Sequence, residues 1–390
     1  MGNDEMTEYF IWLQTALGAG NIRAARALKH FGNAEKIYKA SPSERQSAKI
    51  FTPKDLTRLE DTKIDIAREI ISDCRKYGID IVLFGDKRYP YCLTVIDNPP
   101  IVLYVKGEMP DFDNTPTICI VGPRKVSDYG KKAAYSLSYR LAKSGMTVVS
   151  GGAVGSDYYA HLGALKAGGK TALVMGCGIE SGYLPQNAAL RRHVAEHGCI
   201  ISEHPPKAGV TRFSFPVRNR IMAALSLGTV VVEARRKSGA LITANHALEQ
   251  GRDVFVIPGS PTAEEYEGSN ALLRDGARPL LDVSDIFNEY IPRFADKIDI
   301  KKAYEKPQKT VKNTENKKVY KNLSNETLSK EAKIVYNHLD KHKFYPDEIS
   351  GTGLSSSEIL AALTELEIEF LIRALPGGRY EVTENNQSEE

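Results

Sequence analysis

The sequence predicts an α/β fold, a Rossmann-like, doubly wound, mostly parallel sheet with a helical module before it and a winged helix after it. Three observations predict this. Between Ile118 and Ile257, six short and nearly continuous apolar runs alternate with segments of helical length. Strands of that kind are buried on both faces, as in a parallel sheet covered by helices. Before residue 79 the apolar spacing is helical throughout, and the last sixty or so residues read as two helices followed by a short hairpin.

Residues 1–78 form the helical domain. Phe10, Leu13, Leu17, Ala24, Leu28 and Phe31 recur at three- and four-residue spacing, which suits a SAM-like or helix-hairpin-helix-like module. Its connector, Leu17-Gly18-Ala19-Gly20-Asn21-Ile22, offers backbone amides to a phosphate, but a tight turn between packed helices needs the same glycines. Residues 79–116 are a junction leading into the sheet. The β-branched runs Ile79 to Phe84 and Ile101 to Val105 are parted by Asp86-Lys87-Arg88-Tyr89-Pro90 and by Asn98-Pro99-Pro100, whose double proline fixes φ and excludes helix.

Residues 117–299 form the Rossmann-like domain. Its expected strands are Ile118 to Val121, Thr147 to Ser150, Thr171 to Met175, Cys199 to Ser202, Thr229 to Glu233 and Val254 to Ile257. Residues 300–326 read as a linker, since Lys301 to Lys321 holds eight lysines, two glutamates and almost nothing to bury. In residues 327–384, helices over Ser329 to Leu339 and Ser355 to Leu366 precede a hairpin turning at Pro376-Gly377-Gly378. The second of these helices bears Glu358 and Glu365 and no Lys or Arg, so it is expected to serve protein contact or stability rather than DNA reading.

Composition narrows the function. The chain is 42% hydrophobic, has no unbroken apolar run of the ~20 residues a membrane span needs, and opens on the acidic MGNDEMTEYF where a secretory signal would be basic. A cytoplasmic protein is expected. The five cysteines are scattered with no CxxC pair, so neither disulfides nor a cysteine zinc site is expected, and no metal or cofactor. A net charge of +3 does not by itself announce a nucleic-acid binder; clustering must.

The charges do cluster. In a parallel sheet, ligands bind beyond the carboxyl ends of the strands, and the loops there read Gly122-Pro123-Arg124-Lys125, Gly151-Gly152-Ala153, Arg218-Asn219-Arg220 and Arg235-Arg236-Lys237-Ser238. Glycines admit a phosphate close to the backbone, helix amino termini aim N–H groups at it, and the cations add charge. The candidate anion-binding set is therefore Gly122, Arg124, Lys125, Gly151, Gly152, Arg218, Asn219, Arg220, Lys237 and Ser238, which the family resemblance described below turns into a single-stranded DNA site. Phe213 and Phe215 are either stacking platforms or core. Arg218 and Arg220 are either groove cations or structural partners of Glu233 or Asp157. Asp157 opens a helix as a capping carboxylate. His161 lacks a ligand or carboxylate at metal spacing and reads as a packing residue.

The run Ser150-Gly151-Gly152-Ala153, Gly155, Asp157, Ala160-His161, Gly163-Ala164-Leu165 resembles the signature of the DprA (Smf) DNA-processing family. Arg218-Asn219-Arg220-Ile221, Val231-Val232-Glu233-Ala234, Ser238 to Ala244 and Val256-Ile257-Pro258-Gly259 match its further motifs in order. The departures are Ser156 for Ile, Ala240 for Ser, and Pro185 one position late in the stretch from Tyr183 to Asn187. The resemblance implies a homodimer of natural transformation that binds incoming single-stranded DNA and helps load the RecA recombinase. It places Arg124 as the family's strand-end arginine and Lys237 as the lysine before its Ser-Gly motif. No nucleophile with an adjacent base can be assembled, so no enzyme is expected. The alternative is a LOG-like nucleotide phosphoribohydrolase on the same fold, whose Pro-Gly-Gly-x-Gly-Thr-x-x-Glu motif is replaced here by Glu233-Ala234-Arg235-Arg236-Lys237.

Overall fold

The computed structural model describes residues 2–305, 328–339, 343–369, 371–375 and 377–383. Six helices come first: α1 (Gly2–Leu17), α2 (Ile22–Phe31), α3 (Ala34–Lys39), α4 (Pro42–Ser47), α5 (Pro53–Asp61) and α6 (Asp65–Tyr77). Their starts follow from local chemistry. Asn21 caps α2, and Ser41 with Glu44 and Thr52 with Asp55 form capping boxes ahead of α4 and α5, each with proline at the first helical position. Trp12, fully buried, donates its indole N–H to the Thr62 carbonyl at 2.8 Å and closes the module.

The central domain runs β1 (Asp80–Leu83), α7 (Tyr91–Thr94), β2 (Val102–Gly107), β3 (Thr117–Val121), α8 (Asp128–Lys143), β4 (Thr147–Ser150), α9 (Ser156–Lys166), β5 (Thr171–Met175), α10 (Ala188–His197), β6 (Cys199–Ser202), α11 (Ser214–Ala224), β7 (Gly228–Val231), α12 (Gly239–Glu249), β8 (Asp253–Val256), α13 (Glu267–Arg274), β9 (Arg278–Pro279), α14 (Ser284–Phe294) and α15 (Ile300–Tyr304). The strands form one nine-stranded sheet in the order β1-β2-β6-β5-β4-β3-β7-β8-β9. From β6 to β9 every pairing is parallel, with helices on both faces, so the doubly wound sheet expected from the sequence is present.

Three boundaries differ from the sequence reading. Residues 80–83 and 102–107 are strands of the sheet itself, β2 antiparallel to β6 and β1 antiparallel to β2, and a helical turn, α7, lies between them. Their apolar runs look like a lead-in because two short antiparallel strands at one side of the sheet carry no crossover helix to mark them. β7 and β8 lie one or two residues earlier than expected, and β9 adds a two-residue edge. The first residues of the expected linker are α15, whose Ala303 is buried and whose Tyr304 bonds Asp282. The expected linker from residue 306 to 326 lies outside the described residues.

The C-terminal domain is α16 (Lys330–Asn337), β10 (Lys343–Phe344), α17 (Ser356–Ile368), β11 (Ile372–Ala374) and β12 (Tyr380–Val382), with a three-stranded sheet in the order β10-β12-β11. It is the expected winged helix with one additional short strand. The last turn of α17 is acidic and rests on α9 and α10. Tyr158 donates to Glu367 Oε2 at 2.7 Å, Arg192 pairs with Glu365 Oε1 at 2.8 Å, and Lys166 Nζ donates to the Glu367 and Ile368 carbonyls at 2.7 and 2.8 Å. Those carbonyls sit at the negative end of the helix dipole, where a cation is favoured.

A buried ion pair joins the N-terminal module to the sheet. Arg220, 1% exposed, reaches Glu203 Oε1 at 2.9 Å and donates to the carbonyls of Asn98 and Val217 at 3.0 Å each. The Gly20 N–H in the α1–α2 connector donates to the same Glu203 oxygen at 2.9 Å. Gln14 bonds Val102 N–H and C=O and the Glu203 carbonyl. The connector amide at Gly20 thus holds an internal carboxylate, and a Cβ at Gly20 would fall on Val217. Replacing Arg220 by Ala strands the Glu203 carboxylate in the core, and we expect a stability loss of about 3–5 kcal/mol in urea denaturation.

Candidate nucleic-acid interface

The order β6-β5-β4-β3-β7-β8-β9 reverses direction at β3, so the topological switch point lies between β3 and β7. Ligand crevices in open parallel sheets form there. The loop after β3 carries Gly122, Arg124 and Lys125, and the loop after β7 carries Lys237 and Ser238. Arg124, Lys125 and Lys237 are exposed, and among the described residues neither lysine has a carboxylate partner. Arg124 Nη2 donates to the Tyr183 hydroxyl at 3.1 Å, and its guanidinium lies 5.1 Å from the Phe215 ring centroid. Ser238 accepts from Ala240 N–H at 3.3 Å and caps α12. The flanking Arg235 and Arg236 face Glu264, Glu265 and Glu267 at 3.4–3.6 Å, exposed pairs that contribute little to stability.

The glycines serve the packing of the crevice floor. A Cβ on Gly151 would fall on the Arg218 guanidinium, and one on Gly122 would fall on Ser156 where α9 begins. Gly152, at φ +68, faces the Leu173 side chain and accepts a 3.0 Å bond from Asn187 through its carbonyl. Any Cβ there would be strained as well as crowded.

Arg218 and Arg220 are corrected here as groove cations. Both are buried, at 6% and 1% exposure, and their donors are engaged inside the protein. Arg218 donates to the carbonyls of Gly151 and Val174 and to Asn219 Oδ1, and it stands beside Asp157. Burial pushes the Asp157 carboxyl above its usual range, while Arg218 and the Ala153 amide draw it back. Arg220 pairs with Glu203, not with Glu233 or Asp157. Both point inward although two residues apart because eight of the eleven residues of α11 are buried. Asn219, also buried, steadies the loop before α12 through a 3.4 Å bond to the Gly239 carbonyl.

Two further residues, not evident from the strand-end motifs, stand beside these cations. Tyr183 supplies the hydroxyl beside Arg124, and Arg191 holds that loop by donating to the Tyr183 and Leu184 carbonyls at 2.9 and 3.1 Å. In the sequence the stretch from Tyr183 to Asn187 stands out only by its late proline; Arg191, one helical turn further on, is the signal that marks the loop. The two phenylalanines divide. Phe213 is 60% exposed with Arg212 over its face at 4.4 Å, whereas Phe215 is half-buried between Arg124 and Arg218.

Glu233 is fully buried. Its carboxylate accepts from Ser127 N–H and hydroxyl and from the Tyr266 hydroxyl at 3.0 Å, which anchors the start of α8. His161 is likewise buried, its Nδ1 2.8 Å from Thr171 Oγ1, and burial followed by the Arg218 charge lowers its pKa from 6.5 to about 3. The folded chain therefore keeps this ring neutral where the unfolded chain protonates it. That contribution to stability is complete above about pH 6.5 and is lost as pH falls from 6.5 toward 3. Between pH 7 and pH 5 we expect urea stability to fall by roughly 1–2 kcal/mol more in the parent than in His161→Asn.

Comparison with known proteins agrees with this fold. Residues 80–291 match the model of the family described as DNA recombination-mediator protein A, and residues 321–378 match the DprA winged helix domain. The DNA processing protein DprA of Bacillus subtilis is 39% identical over 220 residues, 56% of this chain and 74% of that protein. The solved DprA of Streptococcus pneumoniae superposes with a TM-score of 0.63 at 30% identity, covering 73% of this chain and 98% of the other. That of Helicobacter pylori, described for its single-stranded DNA binding mode, gives 0.50 at 28% identity over 55% of this chain and 96% of the other. With more than half its length matched by the family model and its strand-end motifs in order, the chain belongs to the DNA recombination-mediator protein A (DprA) family.

Proposed function

We propose that this protein binds single-stranded DNA across the strand ends of β3 and β7 and performs no covalent chemistry on it. The observation that carries the reading is the set of exposed cations, Arg124, Lys125 and Lys237, collected at the switch point of the sheet while the arginines beneath them are engaged internally. The Helicobacter pylori relative, described as a single-stranded DNA binder, supports the same ligand. As part of the reading, the protein acts in the cytoplasm as a homodimer that protects incoming DNA in natural transformation and helps load a RecA-type recombinase; family membership supports these parts. The crevice would hold phosphates at its rim and bases on Phe213, a sequence-tolerant mode. The phosphoribohydrolase reading gains nothing from Glu233, whose carboxylate is fully occupied by Ser127 and Tyr266.

Anisotropy titrations of labelled oligothymidylate at several salt concentrations test the reading. Each phosphate contact contributes a slope of roughly 0.7 in log affinity against log salt, so Arg124→Ala with Lys237→Ala should weaken binding and flatten the slope by about 1.4. Melting temperature should stay within a degree or two, since neither side chain is buried. Unchanged affinity and slope in the folded double variant would overturn the proposal. Ending the chain after Lys321 should leave single-strand affinity within about tenfold of the parent, because the acidic end of α17 faces Lys166, Arg192 and His193. A loss nearer a hundredfold, as several missing phosphate contacts would produce, would place the winged helix in the DNA site.

A further inference from the structure

The outer face of α10 carries chemistry that single-strand binding does not use. His193, Glu196 and His197 stand at positions i, i+3 and i+4, which puts three donor groups on one side of the helix. The spelling His-x-x-Glu-His is a spacing by which helices present two imidazoles to zinc. One donor atom from each of the three residues lies within 4.8 Å of the other two.

The second nitrogen of each ring faces an oxygen of the protein. His197 Nδ1 lies 3.0 Å from the His193 carbonyl oxygen, so Nδ1 carries the proton and Nε2 keeps its lone pair. His193 Nε2 is sealed from solvent without an aligned hydrogen bond and lies at ion-pair distance, 3.2 Å, from Glu369 Oε1, at the end of α17 in the winged helix. A proton on that nitrogen leaves the lone pair on Nδ1, and Nδ1 is 3.4 Å from Glu196 Oε2. Metal-bound imidazoles have this arrangement, one nitrogen on the ion and the other held by a carbonyl or carboxylate. In its absence a lone pair and a carboxylate would face each other, a juxtaposition that a cation between them relieves.

We propose that His193, Glu196 and His197 bind a divalent transition metal of the zinc type, with Glu369 of the winged helix as the carboxylate supporting His193. Two imidazoles and one carboxylate form a donor set that zinc takes readily, with water completing the tetrahedron. The set borders the contact between the two domains. Arg192, the preceding residue, pairs with Glu365 at 2.8 Å, and Lys166 caps the end of α17. An ion on Nδ1 fixes the His193 ring and so holds Glu369 in place, which couples metal occupancy to docking of the winged helix. The competing arrangement is a doubly protonated His193 between two acids, which needs no metal and gives His197 no role.

The test uses the full-length chain without an affinity tag, stripped by chelator and titrated with Zn2+ against a chromogenic chelator. We expect a single equivalent to bind, His197→Gln to weaken it at least about tenfold, and Glu369→Gln to weaken it by roughly ten- to a hundredfold while the protein stays folded by circular dichroism. Co2+ should give ligand-field bands without thiolate charge transfer, which separates this site from the five buried or half-buried cysteines. Zn2+ should slow amide exchange over residues 365–369 in the parent and not in Glu369→Gln. Substoichiometric binding, affinity unchanged in His197→Gln, or a thiolate band would overturn the site. Zinc binding that left exchange at 365–369 unchanged would overturn the role given to Glu369. Single-strand affinity is a separate readout, so neither proposal stands or falls with the other.

Discussion

Two guanidiniums inside helix α11 constrain the rest of the molecule. A buried guanidinium brings five N–H donors out of water, and each needs an acceptor nearby. Arg218 finds carbonyls at the ends of β4 and β5, and it excludes any side chain at Gly151. Arg220 finds Glu203 after β6 and the carbonyl of Asn98 in the junction, and Glu203 in turn holds the Gly20 amide of the first module. One helix thus sets the floor of the strand-end crevice and ties the N-terminal module to the sheet. Glycine at 20 and 151 follows from close packing as much as from any ligand.

The sequence shows which loops meet at the strand ends but not which of their cations turn inward. Continuous apolar runs mark β3 to β8 to within two residues, and the order of the strand-end loops is enough to gather Arg124, Lys125, Lys237 and Ser238 at one edge. What periodicity could not reveal is the inward aim of Arg218 and Arg220. A helix enclosed on nearly all sides has no polar face to read, and its charged residues look like surface until their partners are seen. Those partners, Gly151 and Val174 for Arg218 and Glu203 and Asn98 for Arg220, lie on other segments of the chain. The antiparallel strands β1 and β2 are hidden for a related reason, because antiparallel strands two at a time leave no crossover signature.

Charge is divided between faces, which is why a net charge of +3 conceals it. The crevice rim is basic, while the end of α17 brings Glu365, Glu367 and Glu369 against Arg192, Lys166 and His193. Glu367 is buried, and burial raises its carboxyl pKa while Tyr158 and Lys166 favour the ionised form. In a winged helix that reads DNA, this second helix of the pair lies in the major groove. Here its terminal turn is taken up by contacts within the chain, and its acids would repel phosphate.

The distribution of donors also bears on how such a crevice would treat sequence. Reading a base edge takes rigid donors at fixed positions. The rigid donors here, on Arg218, Arg220 and Asn219, are already bonded to the protein's own carbonyls and carboxylate. What remains toward solvent is a rim of long side chains, Arg124, Lys125 and Lys237, whose partners among the described residues are the Tyr183 hydroxyl and the Phe215 ring, both on Arg124. Groups of that kind can follow a phosphate backbone, and contacts to phosphate carry no sequence information. A stiff interior beneath a flexible basic rim therefore favours indifference to sequence, and Phe213, exposed beside Arg212, adds a surface on which any base can stack.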